Sequence, residues 1–126
     1  MGKTVLIFEG GEINRFDDNI ISYGVEGILR VLNYLNMIAK GFQIYEGNTL
    51  VSRKSSWYRA RKADIALLKT SLGEYVKKGQ LLGQINDSLG IRLGRIYAHR
   101  EGIVIGKSIH PLLNQGDAVY HIAEVE

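Results

Sequence analysis

Three sets of residues in this chain are of types that carry chemistry. The first is Phe8-Glu9-Gly10-Gly11, a carboxylate at the end of the apolar run Thr4-Val5-Leu6-Ile7-Phe8. An acid at the C-terminal end of a buried strand, followed by glycines that let the chain turn away, is a common active-site placement in α/β folds. The same pattern also describes an ordinary strand end with a turn acid, and position leaves both open. The second set is the histidines at 99, 110 and 121, eleven residues apart. Zinc can use three histidines, but no carboxylate pattern accompanies these, and the spacing reads as similar positions in successive hairpins. The third is a basic stretch, Arg53, Lys54, Arg59, Arg61, Lys62, Lys69, Lys77 and Lys78, opposed only by Asp64 and Glu74. A basic stripe can neutralise phosphates. Here the cations fall on several expected strands, with only Trp57, Tyr58 and Tyr75 as stacking surfaces, so solvated strand faces, an anionic substrate or an acidic partner surface suit the charge better than nucleic acid.

Two further patterns fail on spacing. Gly102-Ile103-Val104-Ile105-Gly106-Lys107-Ser108 has three residues between its glycines where a phosphate-binding loop needs four, and Pro111 argues against the helix that must follow. No Ser-His-Asp arrangement stands out. The chain has no cysteine, which excludes disulfides and thiolate metal sites. It shows no signal peptide and no apolar stretch long enough to cross a bilayer, so cytoplasmic residence without membrane association is expected.

The elements that must position these residues fall into two regions. Residues 4–8 read as a continuous, β-branched strand of the kind buried in a parallel sheet. A helix follows, capped by Asp17 or Asp18. Ile21, Val25, Ile28, Leu29, Leu32 and Leu35 lie on one face, and Lys40 and Gly41 mark the expected end. Gly24 and Gly27 suit close packing against a sheet. One strand and one helix do not make a domain, so residues 1–41 read as the end of a larger α/β unit. Residues 42–126 read as β, with strands near 42–46, 49–52, 56–62, 65–69, 80–85, 92–97, 102–106 and 117–123. The 15 glycines and single proline fit short strands joined by turns.

A single figure occurs twice within the β region. Gly73 and Gly79 flank Val76, and Leu81, Gly83 and Ile85 follow. Later Leu113 precedes Gly116, and Ala118, Tyr120 and Ile122 follow, with Pro111 in place of the first glycine. Two copies of a turn–strand unit imply two pseudo-equivalent halves.

These halves resemble the hammerhead repeats of biotinyl/lipoyl-type barrel-sandwich domains. More specifically, Ser56-Trp57-Tyr58-Arg59-Ala60, Gly79-Gln80-Leu81-Leu82-Gly83 and Glu101-Gly102-Ile103-Val104-Ile105-Gly106 resemble the C-terminal β domain of the succinylglutamate desuccinylase/aspartoacylase family. The resemblance runs over nearly the whole chain and implies several things. The fold is a barrel-sandwich hybrid at 42–126, preceded by a strand–helix remnant of a zinc-peptidase-like domain. The parent is a zinc-dependent deacylase or amidohydrolase acting on a small acyl-amide. Phe8-Glu9-Gly10-Gly11 matches the motif whose glutamate is the general base, which places Glu9 in that role. The zinc ligands, two histidines and a glutamate, have no counterpart here, so no metal residue and no bound cofactor is expected of this chain, and the fragment alone is expected to be inactive. Arg59 and Arg61 are candidates to meet a substrate carboxylate. Biotinyl and lipoyl carriers hold their modified lysine at the turn between halves. That turn is Asn86-Asp87-Ser88-Leu89-Gly90 and has none. The alternative from another class is a non-catalytic binding or assembly module without such an attachment. The edge of strand 4–8 and the apolar helix face suggest homo-oligomers.

Overall fold

The computed structural model describes residues 2–38 and 49–125. It is mainly β, with two antiparallel four-stranded sheets and one helix. Two compact units divide it, Met1–Asn48 and Thr49–Glu126. The expected boundary at 41/42 and the expected strand 42–46 lie outside the described residues.

The first unit holds helix α1, Asp18–Tyr34. Asp17 is the N-cap; its carboxylate accepts from the Asn19 and Ile20 N–H groups at 3.1 and 3.2 Å. The helix stops well before Gly41. Leu35 is the C-cap and Asn36 takes φ 56°. The Asn36 and Met37 N–H groups bond back to the Asn33 and Leu32 carbonyls at 3.0 and 2.9 Å, a Schellman ending. Asparagine tolerates the left-handed conformation well enough to replace glycine there. Residues 4–8 are not a strand. A strand needs a partner for its backbone groups, and no described segment pairs with this one. Val5, Leu6 and Ile7 are 75%, 74% and 82% exposed. Phe8 is 62% exposed, with one edge of its ring 3.0 Å from where a Cβ on Gly24 would stand. Gly24 thus faces an aromatic ring rather than the expected sheet, and Gly27 has nothing within 4 Å.

The second unit carries the core. Its strands are β1 Ser55–Arg59, β2 Asp64–Leu68, β3 Tyr75–Val76, β4 Leu81–Asn86, β5 Arg92–Tyr97, β6 Gly102–Lys107, β7 Leu112–Leu113 and β8 Ala118–Ala123. One sheet runs β1-β8-β6-β3, the other β5-β4-β2-β7. Exchanging β1 with β5, β2 with β6, β3 with β7 and β4 with β8 converts one order into the other, so the two halves are related by a pseudo-twofold. The hydrogen bonds repeat as well. The Gly79 N–H donates to the Ala98 carbonyl at 2.7 Å, and the Gly116 N–H to the Ala60 carbonyl at 2.8 Å. In the turns, the Lys77 N–H donates to the Gln80 side chain at 3.0 Å and the Asn114 N–H to the Asp117 carboxylate at 2.7 Å. Both turns reverse through a glycine at positive φ, Gly79 at 84° and Gly116 at 96°, a conformation that costs other residues. Val76 and Leu113, the equivalent residues ahead of these glycines, are both buried.

Two strand expectations in this unit change. Residues 49–52 are not a strand. The strand expected at 56–62 ends at Arg59, where the register with β8 shifts and the Ala60 N–H is taken by the Asp117 carbonyl. Strict alternation fails in β4 and β8, where Leu82 with Gly83 and Val119 with Tyr120 are buried side by side. A bulge at Leu81/Gly83 accounts for β4, since an extra residue turns two neighbours to one face. The core is Tyr58, Val76, Leu82, Ile85, Ile96, Val104, Leu113, Val119, Tyr120 and Ile122 with small residues between. No closed barrel forms among the described residues.

Candidate functional site

Arg59, at the end of β1, and Arg61, two residues beyond it, line one pocket of about 110 Å³ in the second unit, together with Lys62, Arg95, Tyr97 and His99. Its inner wall is apolar. Tyr58, Ile85 and Ile96 reach it from β1, β4 and β5 and are nearly fully buried. Tyr58 holds the rim: its hydroxyl accepts from the His99 and Arg100 N–H groups at 3.0 and 3.2 Å, and its ring stacks on His99 with centroids 5.2 Å apart. These contacts fix the turn after β5 against β1.

The cations around the opening are differently held. The Arg59 guanidinium donates to the Gly116 carbonyl at 2.9 Å, which ties the end of β1 to the second hairpin turn. Arg95 donates to the Tyr97 hydroxyl at 3.3 Å. Arg61 and Lys62 sit in the turn between β1 and β2 and extend into solvent. The ion pairs among the described residues are Arg15–Glu12, Arg30–Glu26 and Arg100–Glu124, so none neutralises a pocket cation. No acidic residue lines the pocket. Gly94 gives the wall its opening; a Cβ there would lie 3.7 Å from the Lys62 stem. An apolar floor with four uncompensated cations above it can hold a small anion through charge-assisted hydrogen bonds.

The sequence pointed to Arg59 and Arg61 as substrate-facing cations, carried Lys62 only within the basic stretch and His99 only as a metal candidate, and missed Arg95 and Tyr97. A signal for them exists. The pseudo-twofold places β5 on β1, so Arg95-Ile96-Tyr97 corresponds to Trp57-Tyr58-Arg59. Extending the repeat alignment outward from the hairpins would have laid the two pocket-forming strands side by side.

Glu9 lies in the other unit, exposed, in a segment without regular structure. Its neighbour across the glycines, Glu12, is half-buried and paired with Arg15 at 2.9 Å. The three histidines do not occupy similar hairpin positions. His99 is in the turn after β5. His110 precedes β7. His121 lies in β8, stacked on Trp57 at 4.1 Å with Nε2 2.8 Å from Ser55 Oγ. Among the described residues no three His, Cys, Asp or Glu side chains gather as a metal would require. The Gly102–Ser108 segment is strand β6 and leads to β7 rather than to a helix. The turn 86–90 is closed by Asp87, whose carboxylate accepts from the Leu89 and Ile91 N–H groups at 2.9 and 2.8 Å. No described helix is long and apolar enough to cross a membrane.

No family model matches the chain. No curated protein matches it. Solved structures do. The apo Ectoine utilization protein EutE (DoeB) from Ruegeria pomeroyi aligns with a TM-score of 0.78 at 21% identity, over 87% of this chain and 36% of that one. A succinylglutamate desuccinylase from Silicibacter sp. TM1040 aligns with a TM-score of 0.77 at 20% identity, over 89% of this chain and 35% of that one. A succinylglutamatedesuccinylase/aspartoacylase from Rhodobacter sphaeroides aligns with a TM-score of 0.72 at 24% identity, over 89% and 37%. The chain therefore spans a little over a third of these structures. Its fold is that of a portion of the succinylglutamate desuccinylase/aspartoacylase structures, in agreement with the resemblance read from its motifs.

Proposed function

We propose that this chain is the C-terminal portion of a zinc-dependent deacylase or amidohydrolase of the succinylglutamate desuccinylase/aspartoacylase type, acting in the cytoplasm on a small N-acyl amino acid or related ester. The observation that carries this reading is the likeness to two solved structures of that description over 89% of the chain. The domain roles follow: residues 1–41 end the catalytic domain, and 42–126 form a barrel-sandwich hybrid. The exchange symmetry of the two sheets supports that hybrid assignment. Arg59 and Arg61, which share a pocket, are the residues to meet a substrate carboxylate.

On this reading zinc is held by residues of the parent that lie outside this chain. When bound, zinc polarises a scissile carbonyl and acidifies water. This chain contributes proton transfer. Glu9 takes a proton from the attacking water and returns it to the leaving amine. Its position after Phe8, with two glycines behind it, supports this role. On this reading the 126-residue chain alone is inactive and binds no cofactor.

The test is Glu9→Gln in the full-length parent. Glutamine keeps size and hydrogen-bonding reach but cannot accept the proton, so kcat should fall by ~10²–10⁴-fold with metal content unchanged. Glu12→Gln removes only the partner of Arg15 and should leave kcat nearly intact. Full activity in Glu9→Gln would overturn the assignment.

A further inference from the structure

We propose that Ser55 is an acylation site, a serine nucleophile whose base is His121, taking the acyl group of a small thioester or aryl ester. The inference goes beyond the zinc-dependent reaction and needs neither zinc nor Glu9, because every residue it uses lies in the second unit. Neither Ser55 nor His121 lines the pocket of Arg59 and Arg61.

Three features carry it. The first is the pair itself. Ser55 opens β1 and is exposed. His121 Nε2 stands 2.8 Å from its Oγ. With the imidazole proton on Nδ1, Nε2 accepts the serine hydroxyl, the arrangement that activates an alcohol for attack. The second is how the base is held. Trp57 stands opposite His121 in the β1–β8 register, and the two rings stack at 4.1 Å with 12° between their planes. On the other flank β6 presents Gly106, where a Cβ would stand 3.0 Å from His121 Cβ. A larger residue there would crowd the imidazole away from Ser55. The third is the edge. β1 is the outer strand of its sheet. The Lys54 carbonyl accepts from the Glu124 N–H at 2.9 Å, and alternation along an antiparallel ladder then turns the Ser55 and Trp57 N–H groups toward the open edge. N–H donors beside the nucleophile suit the oxyanion that forms when a carbonyl is attacked. Among the described residues no carboxylate bonds the imidazole, so the base lacks the support it has in a triad and the donor needs a good leaving group. The Ser55 oxygen bonds the acyl carbon and the C–S or C–O bond to the leaving group breaks. The hydroxyl proton passes through His121 Nε2 to the departing thiolate or phenolate. The product is an alkyl ester with a poorer leaving group than the donor, so it accumulates.

The experiment treats the 126-residue chain with p-nitrophenyl acetate and follows phenolate release together with the acetylated peptides by mass. Acetyl should arrive at Ser55 in a stoichiometric burst, ~10²-fold faster than at Ser71, an exposed serine ahead of β3. Ser55→Ala should remove the burst. His121→Gln keeps a hydrogen-bonding side chain but cannot take the proton, and should slow acetylation of Ser55 ~10²-fold. Trp57 is a positioning residue. Trp57→Leu should slow acetylation ~10-fold, and Trp57→Phe, which keeps a stacking ring, should restore it. Should His121→Gln fail to fold, Ser55→Ala and the ratio of rates at Ser55 and Ser71 decide. Acetyl groups confined to lysines, equal rates at the two serines, or an unchanged rate in a folded His121→Gln would overturn the proposal.

Discussion

Tyr120 shows how one side chain ties the two halves of the second unit together. It is completely buried, at 0% exposure. Its hydroxyl donates to the Leu82 carbonyl at 2.9 Å and accepts from the Thr70 N–H at 3.3 Å. Leu82 belongs to the first half and Tyr120 to the second, so this hydroxyl closes the interior across the pseudo-twofold. Tyr120→Phe keeps the ring but takes the partner from the buried Thr70 N–H, while the Leu82 carbonyl keeps its bond from the Lys69 N–H at 2.8 Å. A loss of about 1–3 kcal/mol is expected, read from the shift of the urea midpoint at unchanged m. A change within error would mean that the Thr70 N–H finds another partner. Burial, the first cause, also raises the phenol pKa above its usual 10.0. The sign follows from linkage: the unfolded chain loses this proton near pH 10 while the folded one keeps it, so stability falls as pH rises from there through the folded value. Tyr120→Phe should flatten that alkaline decline. Sequence matched Tyr120 to Gly83 in the repeat but said nothing of which way it faces. The partners of its hydroxyl were not legible, because they lie far away along the chain and are brought together only by the fold.

At the scale of elements, the hairpin turns were readable and the strand ends were not. Gly73, Gly79 and Gly116 all take positive φ where sequence required sharp turns, because only local sterics decide those positions. Where a strand stops, by contrast, is decided by its neighbour. β1 ends at Arg59 because its register with β8 shifts there, and residues 4–8 lack pairing because no described segment offers it. Gly102 is instructive. In sequence it stood out as half of a near phosphate loop. In the structure it opens β6 with φ 155°, and a Cβ there would collide with the Ala123 carbonyl and come within 3.0 Å of Ile122 Cγ2. The glycine is needed for close backbone approach between β6 and β8. Gly102→Ala should therefore cost at least about 2 kcal/mol in a thermal or urea melt, from strained φ and a clash with backbone that cannot rotate away. Gly94→Ala is the control. Its Cβ meets only the Lys62 stem at 3.7 Å, so it should be nearly neutral. Equal effects of the two changes would show that close approach is not what β6 requires of its first residue.

At the scale of the whole molecule, the core lies entirely in the second unit. Among the described residues every buried hydrophobic falls between Tyr58 and Ala123, whereas helix α1 has no buried residue. What sequence could not give was the state of the first unit, because apolar residues announce a need for burial without saying what meets it. In the described structure Leu6, Ile7, Phe8, Ile28, Val31 and Leu32 border one shallow apolar groove, and Phe16 is 92% exposed. This asymmetry makes a two-sided prediction. A chain of residues 49–126 should fold by itself, with one cooperative urea transition whose midpoint lies close to that of the 126-residue chain, because it keeps both sheets and the whole core. It should also sediment as a monomer. The 126-residue chain should self-associate with rising concentration, since clustered apolar surface of this kind favours association. Leu6→Asp with Val31→Asp should reverse that association without moving the urea midpoint of the β unit. If 49–126 fails to fold, the first unit supplies something to the core that its exposure does not reveal. If the 126-residue chain stays monomeric at high concentration, the groove is not an association surface and the homo-oligomer expectation falls.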